Sequence, residues 1–576
     1  MYAATPLKLT GRFAGRRPFA GVLSPIAVPA TVLLGSFLLY WASASRQPGW
    51  VDATLILNLV RNLELGVWAN VHNLFNLIGY AWLHLFPRAD AHFALTMLCA
   101  LLGSLTVLFM YLAAAELTRN PAASALSCLA LSVSLSLWWH STTIEVYTLN
   151  TTLIALSLYF VFRAYGRGNS RALYLAFFFG GLGLSNHVLM GLYVLAFFAV
   201  LLPVSAAEFR LGAGRLAALI GCYLAGASLF AALFILHWYG VFISSGAGRP
   251  AVLRAAASLG ATLRFAGGGQ FLSSMFTGGL SFRQKLFWRG NYLFLILLNY
   301  PSAAAAFIAS GFPRLWKKAH RGAALFFLVG IAAQIVWSAD YFIWDMYAFS
   351  LPVYVMLALP LAAGIDGFLR KGGSRRLIFL TFLIPLLLYP SFSRWPNRKQ
   401  TVDRYIALYP EASRTGGLWD PAEYIFNPVK RNYTGVSEFC RGVLDTLPRS
   451  AAYWDDESKA AYPLEFYYQD LMGRRPDVEL NQVFGLIMGP TEARAHAERL
   501  LGQLRKGKRV FVSALVEPER EILNQLYHLL APAAPLEQIR SKDLAEFRGG
   551  FPEFEIVDTP IVSDGSLRIY EVRPRS

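Results

Sequence analysis

The sequence predicts a polytopic α-helical membrane protein of about eleven transmembrane helices, followed by a C-terminal extracytoplasmic α/β soluble domain. Two observations carry that expectation. Of 576 residues, 55% are hydrophobic and only 15% charged, with a mean hydropathy of +0.43; an average soluble chain has about 25% charged residues. The acids are also unevenly placed, since nine of the 35 Asp/Glu precede residue 393 whereas Lys and Arg divide 27 to 25 about the same point. A basic, apolar body is thus followed by a near-neutral tail. This composition excludes a conventional cytosolic enzyme, and it excludes a disordered chain, which would be polar and highly charged. The isoelectric point near 9.7 does not point to nucleic acid, because the basic residues sit between apolar runs as membrane-face anchors do.

A helix needs about 17–25 apolar residues to cross the hydrocarbon core. Such stretches fall at 24–45, 92–117, 122–139, 146–162, 172–186, 188–205, 216–236, 291–312, 322–338, 349–368 and 377–392. The first is too long, and followed by too many others, to read as a cleaved signal peptide. With the amino terminus placed in the cytoplasm, the inner loops collect 18 Lys/Arg and the outer loops nine. This bias orients the chain with residues 1–23 inside, 24–392 as the membrane body and 393–576 outside. The membrane expected is a bacterial inner membrane.

Two outer loops are long, 46–91 and 237–290. The first holds a 15-residue apolar run, Asn73 to Pro87, that suits the interface rather than a span. In the tail, Arg509–Leu515, Glu555–Val557 and Leu567–Val572 are strand-like and Glu519–Leu530 has helical spacing. Cys99, Cys128 and Cys222 lie in apolar runs and Cys440 is alone in the tail, so no disulfide framework is expected there.

Carboxylates beside hydrocarbon are costly and point to function. Glu116, Glu208 and Asp366 fall on the inner face beside basic loops, where charge pairing accounts for them. Asp52, Glu64, Asp90, Glu145, Asp340 and Asp345 fall on the outer face, and the loops of Glu145 and of Asp340/Asp345 contain no basic residue. His72, His140 and His187 join them at that boundary. Acids and histidines gathered on one face suit a site that handles protons or cations. A divalent metal is a possible cofactor, although no HxH or HxxxH spacing is present.

Four segments carry a resemblance that ties these residues together. They are Thr143-Ile144-Glu145-Val146-Tyr147-Thr148-Leu149-Asn150; Gly181-Leu182-Gly183-Leu184-Ser185-Asn186-His187; Asp345-Met346-Tyr347-Ala348-Phe349-Ser350-Leu351-Pro352; and Val443-Leu444-Asp445-Thr446-Leu447-Pro448 with Arg475-Pro476-Asp477-Val478. Their order and spacing resemble the transmembrane protein O-mannosyltransferase-like family, within the GT-C class of glycosyltransferases that use polyprenyl-phosphate sugars. The chain departs from that family after the first span. Asp52 is followed by Ala53-Thr54-Leu55, without the family's second acid, and Gly66-Val67-Trp68-Ala69-Asn70-Val71-His72 lacks its double proline.

The resemblance implies a GT-C-like fold and transfer of a hexose, mannose among them, from a polyprenyl-phosphate donor to a hydroxyl acceptor such as a protein Ser/Thr on the extracytoplasmic face. It implies Asp52 as general base and Glu145 as a second catalytic residue that orients sugar or acceptor. His72, Tyr147, Asn150, Asn186, His187, Gln270, Asp345 and Tyr347 would line the substrate site. The departing phosphate needs cations, for which Arg264, Arg283, Lys285 and Arg289 are the outer candidates. A transporter or lipid flippase is the competing reading; the one-sided acids and the lack of an internal repeat argue against it. A non-catalytic membrane scaffold is the third.

Overall fold

A computed structural model describes residues 26–49, 52–67, 71–244, 251–266, 282–340, 346–392, 424, 426–456, 462–483, 499, 502–514, 554–556, 562–564 and 567–574. Up to residue 392 these residues are helical wherever they are regular. In order, the helices are α1 (Ala27–Ser43), α2 (Asp52–Arg61), α3 (Asn73–Leu85), α4 (Ala91–Thr118), α5 (Pro121–Ser132), α6 (Leu135–His140), α7 (Tyr147–Arg167), α8 (Ala172–Leu184) and α9 (Val188–Glu208). There follow α10 (Ala213–Gly226), α11 (Ser228–Ser244), α12 (Ala251–Ala266), α13 (Phe282–Asn299), α14 (Ala304–Lys318), α15 (Arg321–Asp340), α16 (Met346–Phe349), α17 (Leu351–Leu369), α18 (Arg375–Phe382) and α19 (Ile384–Phe392). Helix is what an apolar stretch must adopt in lipid, since only there are its backbone groups satisfied internally.

Each of the eleven apolar stretches is mainly helical over its described residues, but they differ in length and course. Among the described residues four helices, α4, α9, α15 and α17, are long and apolar enough to cross a membrane, and the count rises to six if each of two bent pairs is one span. The pair α10/α11 bends by 65°, and Tyr292–Asn299 meets α14 at 100°. The second bend has a local cause: Pro301 has no backbone N–H to continue the helix, and Ser302 takes a left-handed φ of 71°.

Helix ends are written in the sequence. Asp90 Oδ1 accepts the Phe93 N–H at 2.8 Å to start α4, Asn120 Oδ1 accepts from Ala123 N with Pro121 at the first helical position, and α7 stops at Gly168 with φ 64°.

Between α4 and α7, the Thr106 hydroxyl meets the hydroxyls of Thr151 and Thr152 at 3.1 and 3.0 Å. Small residues bring other backbones close. A Cβ on Gly311 would lie 1.7 Å from the Pro360 carbonyl oxygen and one on Gly364 2.0 Å from that of Phe307, so α14 and α17 touch backbone to backbone.

The acids expected on the inner face are paired, Glu116 and Asp366 with Lys and Arg and Glu208 with a histidine. Glu116 holds Arg119 at 3.0 Å and Arg167 at 2.5 Å, Glu208 meets His320 at 3.0 Å, and fully buried Asp366 takes Lys318, Arg370 and the Asn120 amide. These bonds draw the ends of α4, α7, α14 and α17 together at one end of the bundle.

After the helical body come α20 (Gly435–Thr446), β1 (Ala452–Asp456), the π-helical α21 (Pro463–Leu471), β2 (Glu479–Val483), β3 (Val510–Ala514), β4 (Phe554–Ile556), β5 (Val562–Asp564) and β6 (Leu567–Pro574). They build a sheet of order β2-β1-β3-β6-β4, with β5 also paired to β6. The β1–β2 and β1–β3 pairs are parallel and those with β6 antiparallel. Helix α21 is the crossover between parallel strands β1 and β2, and it packs against α2. The strand-like runs of the sequence are thus β3, β4 and β6; the helical run Glu519–Leu530 lies outside the described residues.

Candidate functional site

Of the residues expected on the outer face, Asp52, His72, Glu145, Tyr147 and His187 lie at the end of the bundle opposite the Glu116 and Asp366 clusters. Asp52 opens α2, where its negative charge faces the helix's free N–H groups. It is exposed, whereas Ala53, Thr54, Ile56 and Leu57 behind it are buried. Its charge reaches Tyr462, at the start of the crossover helix, whose phenol is pushed up first by burial and then by Asp52 and Glu465. Glu145 is half-buried between α6 and α7, and its backbone N–H and carbonyl both meet the Cys99 thiol of α4 at 3.4 Å.

Tyr147, two residues on, is the hub of a ring cluster. Its ring lies 5.6 Å from His140, 5.3 Å from His187 and 5.6 Å from Phe349. His187 in turn stacks on His72 at 4.8 Å. The two imidazoles are held in opposite tautomers. His72 Nδ1 donates to the Asn186 carbonyl at 3.2 Å, which leaves its Nε2 unprotonated. His187 Nδ1 accepts from the Leu189 N–H at 3.1 Å, which puts its proton on Nε2. Burial pushes His72 down to about 4 and His187 well below its ordinary range, the latter also lowered by His72, so both rings are neutral at neutral pH.

Asn150 and Asn186 are 1% and 2% exposed, yet neither side-chain amide has a hydrogen-bond partner among the described residues. Unpartnered buried amides are costly, and four unused donor and acceptor atoms beside a ring cluster suit a polyhydroxylated ligand.

The expected cations fall into place less uniformly. Arg283 is exposed and Lys285 half-buried on α13. Arg289, on the same helix, gives two hydrogen bonds to Asp340 at 3.0 and 2.6 Å, so a carboxylate already occupies it. Arg264 lies on α12 and Tyr347 on α16, with side chains outside the described residues, and Gln270 and Asp345 lie outside them altogether. Among the described residues no three His, Cys, Asp or Glu side chains converge to hold a metal ion.

Residues after 392 close over this end. Trp139 Nε1 donates to the Tyr424 carbonyl at 2.7 Å, Thr142 Oγ1 to Pro428 O at 2.8 Å, and Lys430 N to Ser43 O at 2.8 Å. Sequence reasoning missed Tyr462 and this strap, because neither lies near the outer loops in sequence.

The helical body with a sheet packed over one end is the fold of the GT-C membrane glycosyltransferases. The structure superposes on ArnT from Cupriavidus metallidurans bound to undecaprenyl phosphate, with a TM-score of 0.50 and 12% identity, over 95% of this chain and 97% of that one. The Archaeoglobus fulgidus oligosaccharyltransferase in complex with zinc and sulfate is also similar, at a TM-score of 0.46 and 12% identity over 93% of this chain and 72% of that one. No curated protein matches by sequence. Residues 72–210 match the family described as the protein O-mannosyl-transferase TMEM260 N-terminal domain. That range includes His72, Glu145, Tyr147, Asn150, Asn186 and His187, so the resemblance read from their motifs is to the family the match identifies.

Proposed function

We propose that this chain is an inverting membrane hexosyltransferase that moves a sugar, mannose or another hexose, from a polyprenyl phosphate to a hydroxyl acceptor, protein Ser/Thr among them. The reaction is placed on the extracytoplasmic face, with residues 1–23 cytoplasmic, 24–392 in the membrane and 393–576 outside. The observation that carries this reading is the juxtaposition at one end of a GT-C fold: an exposed carboxylate, Asp52, on the same face as buried neutral rings and unpartnered amides.

Each part has a chemical task. Asp52 takes the proton of the acceptor hydroxyl as its oxygen attacks the anomeric carbon. The bond from that carbon to the phosphate oxygen breaks, and its electron pair leaves with the polyprenyl phosphate. Attack opposite the leaving group inverts the anomeric centre. The amides of Asn150 and Asn186 bond sugar hydroxyls, Tyr147 and the His72/His187 stack give the sugar's C–H faces an aromatic wall, and Glu145 orients the acceptor.

The test is Asp52→Asn, assayed for transfer from a polyprenyl-phosphate hexose to acceptor peptide in reconstituted membranes. A general base is worth about 10²–10⁴ in rate, so turnover should fall by at least about a hundredfold with donor binding retained. Unchanged turnover removes Asp52 as base.

A further inference from the structure

The loop between α1 and α2 carries a cation that the site described so far does not use. Its start is anchored by three hydrogen bonds: Ser45 N donates to Thr142 O at 2.9 Å, and at the end of α1 Trp138 Nε1 donates to Ser43 Oγ at 2.9 Å and Lys430 N to Ser43 O at 2.8 Å. On this anchored turn the half-buried Arg46 lays its guanidinium over the Phe93 ring, 3.8 Å from the centroid. Stacking of that kind holds the group by its face and leaves its N–H edge for an in-plane acceptor.

Beside it stands a second cation. Arg431 follows Lys430 in the strap, and its charge is close enough to disfavour that of Arg46, whose pKa is lowered first by burial and then by Arg431. Among the described residues neither guanidinium has a carboxylate partner. Asp90, at the same end of α4, is engaged in capping that helix through Phe93 N. Lys430 adds a third positive charge behind them, 1% exposed and lying over the rings of Tyr424 and Trp139 at 4.6 and 5.7 Å. Like charges held together without a counter-ion cost free energy, and an anion arriving between them recovers it. At the other end of the bundle the arrangement is reversed, with Glu116 and Asp366 each holding two cations.

We propose that Arg46 and Arg431 form a phosphate site at the outer end of α1, and that it takes the phosphate of the polyprenyl donor and holds it as it leaves. The assignment rests on the glycosyltransferase reading above, and it moves the phosphate from α12 and α13 to the loop that leads into Asp52. Arg46 is six residues before Asp52 in sequence, so the phosphate ligand and the base are close neighbours along the chain.

The experiment uses the full chain in phosphatidylcholine nanodiscs, with undecaprenyl phosphate and phosphatidylglycerol titrated separately and bound lipid counted by native mass spectrometry. Variants are R46Q/R431Q, the charge-conserving R46K/R431K, and R375Q on α18 as a control. The double glutamine variant should lose undecaprenyl phosphate affinity by at least about tenfold, as expected when charged hydrogen bonds to the phosphate are removed. The lysine variant should recover part of it, R375Q should match wild type, and phosphatidylglycerol retention should not change. Partial recovery in R46K/R431K excludes a folding defect as the cause. Equal loss of both lipids assigns the pair to bilayer headgroups and overturns the donor assignment. Unchanged undecaprenyl phosphate binding overturns the site itself. A wild-type chain that binds no undecaprenyl phosphate overturns the glycosyltransferase reading, and this site with it.

Discussion

The crossing of α8 and α10 makes a demanding test, because it couples packing to the proposed sugar site. A Cβ on Gly181 would lie 1.9 Å from the Tyr223 carbonyl oxygen, and one on Gly226 2.2 Å from that of Phe178. Both obstacles are backbone, so no side chain can swing aside. In Gly181→Ala the helices must part by more than about 1 Å, with an overpacking cost of ~1–3 kcal/mol. That movement is transmitted, since α8 runs directly into Ser185, Asn186 and His187. Ser185 Oγ donates to Gly226 O at 3.0 Å, its carbonyl accepts from Leu74 N at 3.1 Å, and His187 stacks on His72. A misplacement of about 1 Å can cost about a hundredfold in rate. Melting temperature and transfer rate should therefore both fall, the rate by far more than the lost stability implies. The comparison is Gly221→Ala on α10, where a Cβ meets nothing within 4 Å and alanine's helix propensity favours the variant by ~1 kcal/mol. If Gly181→Ala matches Gly221→Ala in both measurements, the close crossing does not position the site.

Three further outcomes are expected. His72, held by burial at about 4 against an ordinary 6.5, stays neutral in the folded chain while the unfolded chain takes up a proton; its contribution is complete above pH 6.5 and is lost as pH falls toward 4. The wild-type melting temperature should drop from pH 7 to 5, and less in His72→Gln; parallel profiles would refute the assignment. Asp366→Asn leaves Lys318 and Arg370 without their buried carboxylate and should destabilise the chain by ~3 kcal/mol in denaturant titration. Lys430→Met removes a cation lying over Tyr424, Tyr433 and Trp139, worth ~1–2 kcal/mol, and should speed hydrogen exchange across 424–433 without affecting the α4/α7 pair.

Hydropathy located helices well and their courses poorly, for a physical reason. It measures how much apolar length the chain offers, and 291–312 offers enough for one span. The 100° turn inside that stretch depends on Pro301 and the left-handed Ser302, which an average over the window does not register. In the sheet, β3 and β6 were legible because their residues alternate or run apolar. β1 and β2 carry Asp455, Asp456, Asn481 and Gln482 and are strands because neighbouring strands pair with them. The ion pairs of Glu116 and Asp366 were legible from charge counts alone. The pairings at the other end were not: Arg289 finds Asp340 and the charge of Asp52 reaches Tyr462 across tens or hundreds of residues, and no local pattern encodes such a meeting.

The two ends of the bundle use the same residue types for opposite purposes. At one end Glu116 and Asp366 are buried with cations upon them, so their charge is spent within the fold. At the other end neither Arg46 nor Arg431 is paired with a carboxylate among the described residues: Asp52 is exposed at the start of α2, Arg46 lies on Phe93, and the charge of Arg431 acts on Arg46. The turn anchored at Ser45 and the strap at Lys430 hold the cations where they are. Sugar transfer from a lipid phosphate calls for that separation, since a base must meet a hydroxyl while cations meet the leaving phosphate. A base already neutralised by Arg46 would have no reason to accept a proton. Were Asp52 and Arg46 found ion-paired in the donor-bound state, the separation would be a property of the empty site, and the division of labour between them would have to be abandoned.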